Sequence, residues 1–331
     1  MTVVAVAGGT GDLGQTIVEA IANTGKHTIY VLTRKVLQSI PTHPLASIAE
    51  LVVLDYENPE SIREVLDRLQ VDTVISTLNL NWPGSAQSQL NLIRGSAQSK
   101  LVKRFIPSEF NIDYNVSEEW ELQGHPNLTY TLIRNGFFLD YLGLPFGETH
   151  LHPLYCLLDL QAAKAAIPGD GSMPVVFTHT TDVAKFVATL LDIPAAKWPL
   201  ESAVIGERIL LNDLVSLAEK ATGKTVSPRL LFSLWLTISA GRQFTKSFDP
   251  VEGLRKMQTT ELLSNKQCYS YFPGGKAELD MVISTMMVGM ATGVFDISGT
   301  DLRTFAPETA LTKIEPFLRS CWAEAGHSVP T

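Results

Sequence analysis

Cysteine is scarce in this chain of 331 residues: Cys156, Cys268 and Cys321 are odd in number, far apart and never spaced C-x-x-C. That excludes a disulfide framework and a cysteine zinc site, and it is the expectation for thiols in a reducing, cytoplasmic compartment. Positive charge is short as well. Lys plus Arg number 26 against 34 Asp plus Glu, a formal net charge of −8. A chain of that sign lacks the basic footprint that a phosphate backbone requires, so nucleic acid is not an expected partner. Long apolar runs are missing too. The uncharged stretches 230–241 and 281–295 both fall short of the ~20 apolar residues that cross a bilayer, so no membrane contact is expected. Residues 2–7 lack a basic leader and read as a strand rather than a targeting segment. No internal repeat or low-complexity tract is present. What remains is 45% hydrophobic and 18% charged, enough apolar material for a sizeable core, which excludes intrinsic disorder.

The first half alternates two periodicities. Residues 3–7 form a short apolar run ending in glycines, as buried parallel strands do. Leu13, Ile17 and Ile21 then recur at helical spacing, and Gly25 closes the helix. Strands are predicted over 28–32 and 51–54. Asn58-Pro59 starts a helix lined by Ile62, Val65, Leu66 and Leu69. A fourth strand over 73–75, a helix over 85–99 and a fifth strand over 102–106 complete the alternation. The pattern predicts an α/β protein with a doubly wound, parallel Rossmann-type sheet and right-handed crossovers. Beyond it, strands are expected over 128–133 and 174–177, a helix over 182–191, and a further helix capped by Asn212 or Asp213. The expected division is a nucleotide-binding domain over 1–150, with strands returning from about 174–211, and a smaller, discontinuous α/β substrate lobe over 151–331.

Gly8, Gly11 and Gly14 are spaced G-x-x-G-x-x-G between the first strand and the first helix. Glycine permits a tight turn and close approach to a pyrophosphate, and the helix start then offers unpaired N–H groups. Gly8, Thr10, Gly11, Asp12, Leu13 and Gly14 are therefore expected to bind a dinucleotide. An acidic residue ending the second strand would grip a ribose 2′-hydroxyl and favour NAD. Here Thr33-Arg34-Lys35 stands in that place, with two cations suited to a 2′-phosphate, so NADP(H) is expected over NAD(H). Asp55 is placed to meet the adenine or to cap a helix. Thr77, Pro107, Ser108 and Glu109, after the fourth and fifth strands, complete the expected cofactor set.

Five groups of residues carry a family likeness. Gly8–Gly14 with Thr33-Arg34, and Lys103-Arg104-Phe105-Ile106-Pro107-Ser108-Glu109-Phe110, resemble the isoflavone reductase-like, NmrA-like group of atypical short-chain dehydrogenases. Asn135-Gly136-Phe137-Phe138, Ile167-Pro168-Gly169-Asp170-Gly171 and Thr178-His179-Thr180-Thr181-Asp182 resemble its fungal branch. The resemblance implies an NADP-binding domain, a small C-terminal lobe, and a reductase acting on phenolic or polyketide-like small molecules. It also implies a minority of members that sense dinucleotides without turning them over. Two departures stand out. Reductases of the group carry a lysine on a helix after the Pro-Ser-Glu-Phe strand end, yet residues 111–127 contain none. Residues 225–240 have no counterpart, and Val226-Ser227 can be encoded as a splice donor. The stretch therefore reads as a retained intron with the short 111–127 stretch as a companion error, and a transcript containing both would refute that.

Without the lysine, proton delivery falls to other groups. Tyr114 and His179 are the candidates, a phenol that can donate or wall a pocket and an imidazole that titrates near neutrality. Asn135, Phe137, Phe138, Tyr141, Tyr114 and His179 form the expected substrate pocket. His150 and His152 sit among prolines in a loop, so no metal is expected. The leading expectation is an NADPH-dependent reductase of specialised metabolism acting on an aromatic or enone-type small molecule. The alternatives are a dinucleotide-sensing regulator without turnover and a non-redox isomerase or cyclase on the same scaffold.

Overall fold

The computed structural model describes residues 1–34, 43–80, 84–110, 121–222 and 242–322. Its largest sheet has six strands: β1 (Val3–Ala7), β2 (Thr28–Thr33), β3 (Glu50–Val53), β4 (Thr73–Ser76), β5 (Arg104–Ile106) and β6 (Thr129–Tyr130). They lie in the order β3-β2-β1-β4-β5-β6, every pair parallel. β1 is central because it carries nothing that needs water: Val4, Ala5, Val6 and Ala7 are fully buried, as a strand covered on both faces demands. Strand order reverses between β1 and β4, and at such a switch the loops leaving the two carboxyl ends run apart and open a crevice.

Helices cover the sheet where the sequence periodicity places them. α1 (Asp12–Asn23) buries Leu13, Ile17, Val18 and Ile21. α2 (Pro59–Arg68) starts at Asn58, whose Oδ1 accepts from Glu60 N at 3.0 Å, with Pro59 in the first turn. α2 packs closely on α3 (Ser85–Gln98), and a Cβ on Gly95 would lie 2.6 Å from Ile62 Cγ2.

The chain forms two compact units. The first comprises Met1–Asn135, Thr180–Val204 and Ser298–Ala310. In it, α4 (Thr180–Asp192) packs against α1, burying Val183, Phe186, Val187 and Leu190. Arg104 is buried on β5. Its guanidinium pairs with Asp72 Oδ1 at 2.6 Å, donates to Leu191 O at 3.0 Å and lies 5.3 Å from the Trp198 ring centroid. The strand expected over 128–133 is two pieces. β6 finishes the main sheet, whereas Leu132–Arg134 pairs with Glu201–Ala203 in a separate small sheet. The break falls at Thr131, whose hydroxyl is 2.7 Å from Ser202 Oγ.

The second unit comprises Gly136–His179, Ile205–Ile297 and Leu311–Thr331. It holds two three-stranded sheets, one of Thr245–Asp249, Lys164–Pro168 and Leu158–Asp159, the other of Glu207–Leu210, Pro174–Thr178 and Phe137–Phe138. Pro174–Thr178 therefore does not return to the main sheet, because its edges are taken by Glu207–Leu210 and Phe137–Phe138. Helix α5 (Leu211–Ala221) begins one residue before Asn212 with no side-chain cap. Asn212 Nδ2 donates to Asp170 O at 2.9 Å instead. Helices α6 (Gly275–Ala291) and α7 (Ile314–Trp322) complete the unit. Cys156 and Cys268 are free thiols, and burial pushes them up to about 12 and about 11. Among the described residues no helix is long and apolar enough to cross a membrane.

Candidate functional site

The first unit concentrates unusual backbone at the carboxyl end of β1. Gly8 takes φ +76°, and a Cβ there would meet Thr77 O at 2.8 Å. A Cβ on Gly14 would lie 2.3 Å from Gly8 O. Both positions exclude side chains, one by conformation and one by the approach of α1 to the loop. Gly11 N donates to Gly8 O at 2.9 Å, which folds the loop, and Gly11 caps α1 without any side-chain bond. Gly11 offers no side-chain oxygen to the first turn of α1, the arrangement found where a helix start meets an anion. Thr10 is half-buried and its carbonyl accepts from Gln15 Nε2 at 3.1 Å, Leu13 is buried beneath the loop, and Asp12 lies in the first helical turn. Thr77 backs the cradle by donating from both N and Oγ1 to Ala7 O, each at 2.8 Å.

The neighbouring loops are similarly tied. Arg34 leaves β2 exposed, with Nη2 3.4 Å from Ser85 Oγ at the start of α3. Lys35 lies outside the described residues. Asp55 is exposed and its Oδ1 accepts from Glu57 N at 2.9 Å in a turn ahead of α2, whose cap is Asn58 and not Asp55. Beside it, Tyr56 belongs to the hydrophobic core that supports these loops. It is buried, donates to Leu32 O at 3.1 Å, and burial raises its phenol well above the ordinary value. Pro107 and Glu109 are buried at the end of β5. Ser108 is held twice, its N donating to Gln89 Oε1 at 2.9 Å and its Oγ to Leu78 O at 2.8 Å. Gln89 is a residue that sequence reasoning missed. Its signal was a wholly polar side chain on the buried face of α3, where an aliphatic one packs better. Its Nε2 and Ser76 Oγ are buried without partners among the described residues.

Asn135 is fully buried at the last residue of the first unit's leading segment. In the second unit, the residues expected to wall a pocket divide. Phe137 is 2% exposed and surrounded by rings, its centroid 5.3 Å from Tyr141, 5.8 Å from Phe177 and 6.2 Å from Phe295. It is core. Phe138 and Tyr141 are half-buried, 6.4 Å apart. His179 is buried at the end of its strand, with Nε2 3.6 Å from Asp140 Oδ1 and its ring edge-on to Phe317 at 5.0 Å. Asp140 is itself buried, and its Oδ1 accepts from Thr149 Oγ1 at 2.9 Å. At 3.6 Å the approach of His179 to Asp140 is a charge contact longer than a hydrogen bond, and it sets a buried carboxylate beside the imidazole. Asp140 was not singled out from sequence, although it lies within the same aromatic motif. Tyr114 lies outside the described residues. His152 stacks edge-on with Tyr271 at 5.1 Å.

A β1–glycine loop–α1 cradle at the switch point of a 3-2-1-4-5-6 sheet defines a Rossmann-type α/β protein. The NmrA-like family model matches residues 1–232, and the chain belongs to that family. It is 35% identical over 356 residues to the oxidoreductase swnN of Metarhizium robertsii, covering 97% of this chain and 98% of the relative. Against the phenylcoumaran benzylic ether reductase POP1 of Populus trichocarpa it is 32% identical, covering 66% of this chain and 74% of the relative. Among solved structures, a ternary complex of leucoanthocyanidin reductase from Vitis vinifera superposes with a TM-score of 0.68 at 18% identity, over 97% of this chain and all of that one.

Proposed function

We propose that the protein is an NADPH-dependent reductase of specialised metabolism that acts on an aromatic or enone-bearing small molecule. The observation that carries this is the cradle at Gly8, Gly11 and Gly14, where two Cβ atoms are excluded and the start of α1 is left uncapped. Gly8, Thr10, Gly11, Asp12, Leu13 and Gly14 would hold the pyrophosphate, Arg34 and Lys35 the 2′-phosphate, and Thr77, Pro107, Ser108 and Glu109 the nicotinamide end. The residues fit such a group, since Gln89 Nε2 on α3 and Ser76 Oγ at the end of β4, which have no partners among the described residues, leave polar capacity there. NADP(H) is supported over NAD(H) by Arg34, which no carboxylate pairs among the described residues. It is also supported by relatives named oxidoreductase and reductase, and by a solved neighbour described as a leucoanthocyanidin reductase–NADPH complex.

When bound, the reduced nicotinamide supplies a hydride. The chain's own task is then the proton. Residues 111–127 carry no lysine, so His179, with Asp140 beside it, is assigned to hold the proton that completes the reduction, with Tyr114 the second candidate. Phe138 and Tyr141 offer apolar surface to the substrate, and the small-molecule partner is expected to be aromatic on that account. The test is to mix purified protein with NADPH and a panel of aromatic enones and to follow loss of the reduced cofactor. Turnover of one class supports the reading. Tight NADPH binding with no turnover across the panel would replace it by the second reading, a dinucleotide-sensing regulator, which the missing lysine favours. Conversion of a substrate without loss of NADPH would identify the isomerase or cyclase alternative.

A further inference from the structure

On the second unit, a groove of about 330 Å³ runs between Leu254, Arg255 and Met257 on one side and Met281, Ser284 and Val288 of α6 on the other. Three of its features are unusual. Met257 has φ +60°, and it ends the short helix before it through two bonds, Met257 N to Leu254 O at 2.9 Å and Gln258 N to Gly253 O at 3.0 Å. That pair of bonds is a Schellman closure, whose left-handed position ordinarily belongs to glycine because any side chain there is strained. The strain is not offset by packing, since Met257 is 54% exposed and Met281 across the groove 45% exposed. Arg255 is exposed and its guanidinium has no partner among the described residues. Ser284 is buried, and its hydroxyl finds no partner either.

We propose that this groove is a binding site for a small amphipathic carboxylate, with its apolar body between Met257 and Met281 and its charge on Arg255. The volume falls within the range of small-ligand sites and is too small for a peptide helix. Methionine suits an aliphatic or aryl body of irregular shape, because its unbranched thioether adapts to what it touches. The head group is set by Arg255, the sole charge among the lining residues, whose planar fork matches a carboxylate. On a chain of net charge −8, an unpaired cation at the rim also selects anions that the rest of the surface repels. Strain held in an exposed methionine then has a use, since it keeps the thioether over the groove. The site is independent of the glycine cradle and of the reductase reading.

The test uses the full chain labelled at the methionine methyl groups, titrated with decanoate and, in parallel, with decyltrimethylammonium. Saturable shifts are expected at Met257 and Met281 with decanoate alone, while Met173 and Met286 stay in place. Arg255→Gln should weaken decanoate about tenfold or more with its Tm and NADPH affinity unchanged. Met257→Gly should raise the Tm and weaken decanoate together. Absence of saturable shifts at the two methyls overturns the site. Equal binding of the ammonium, or full affinity in Arg255→Gln, overturns the carboxylate assignment. A lower Tm for Met257→Gly shows that the methionine serves the fold and overturns the strain argument.

Discussion

Arg34 reaches Ser85 Oγ only at 3.4 Å, a contact that leaves its guanidinium available for a stronger one. Losing a charge-assisted contact to a 2′-phosphate should lower NADPH affinity about ten- to a hundredfold, with NADH little affected. Fluorescence titration of Arg34→Ala with both cofactors measures this, and an unchanged ratio would place the selectivity elsewhere. His179 makes the second prediction at this scale. His179→Ala should lower kcat about tenfold or more, roughly 1.4 kcal/mol of barrier, with NADPH affinity unchanged. Asp140→Asn should move kcat the same way, because the amide keeps the volume and removes the charge beside the imidazole. Full turnover in both variants would take the proton role from His179 and leave it to Tyr114 or to bulk water. The glycine triplet was legible in the sequence because spacing alone sets a loop's geometry. Asp140 and Gln89 were not. A polar residue inside an apolar motif looks the same in sequence whether its side chain turns to solvent or to a buried partner. For the same reason Phe137 could not be told from a pocket wall, since aromatic spacing says which residues cluster but not which are covered.

At the scale of elements, β1 to β5 and α1 to α3 were legible because their periodicities switch cleanly and their ends carry chemistry, as at Asn58-Pro59 and Gly25. Reading failed where pairing partners decide the outcome. Nothing in Leu128–Arg134 announces that the ladder changes at Thr131, because the partner that causes the change, Ser202, is remote in sequence. The Pro174–Thr178 strand is apolar enough to be central in any sheet, and its neighbours, not its composition, set which one it joined. The α2–α3 contact offers a test of packing. A methyl at Gly95 would fall 2.6 Å from Ile62 Cγ2 and 2.8 Å from Pro59 O, one of them backbone. Gly95→Ala should therefore destabilise by about 1–3 kcal/mol, despite alanine's better helix propensity. Urea unfolding reads the sign directly, and a stabilised variant would show that the two helices can slide apart freely.

At the scale of the whole molecule, stability should depend on pH through a residue outside the site. The His27 side chain is 2% exposed, with Nε2 3.6 Å from Asp192 Oδ1. Burial, opposed by the Asp192 charge, holds its pKa below the ordinary value of 6.5. The unfolded chain then takes up a proton near pH 6.5 while the native imidazole stays neutral. Stability is accordingly full above that pH, falls as pH drops below it, and levels once pH passes beneath the native pKa. Urea midpoints measured across this range should decline for the wild type and decline less for His27→Gln. Parallel curves would acquit His27. Net charge and cysteine count spoke at this scale about partners and compartment, but neither bears on how the chain divides. Lys35, Tyr114 and the 225–240 stretch lie outside the described residues.

Arg104 and α1 also have a consequence for synthesis. Both are completed by chain that emerges much later: α1 by Thr180–Asp192, and the Arg104 guanidinium by the carbonyl of Leu191. As the chain leaves the ribosome, the leading segment therefore waits with one helix side uncovered and a cation partly served. All of Gly136–His179 must be made before its cover arrives. The glycine cradle sits at the head of that waiting segment, so the nascent protein passes through an interval in which its nucleotide loop exists but the layer behind α1 does not. Fragments that stop before residue 180 are arrested in that interval and should depend on chaperones to stay in solution.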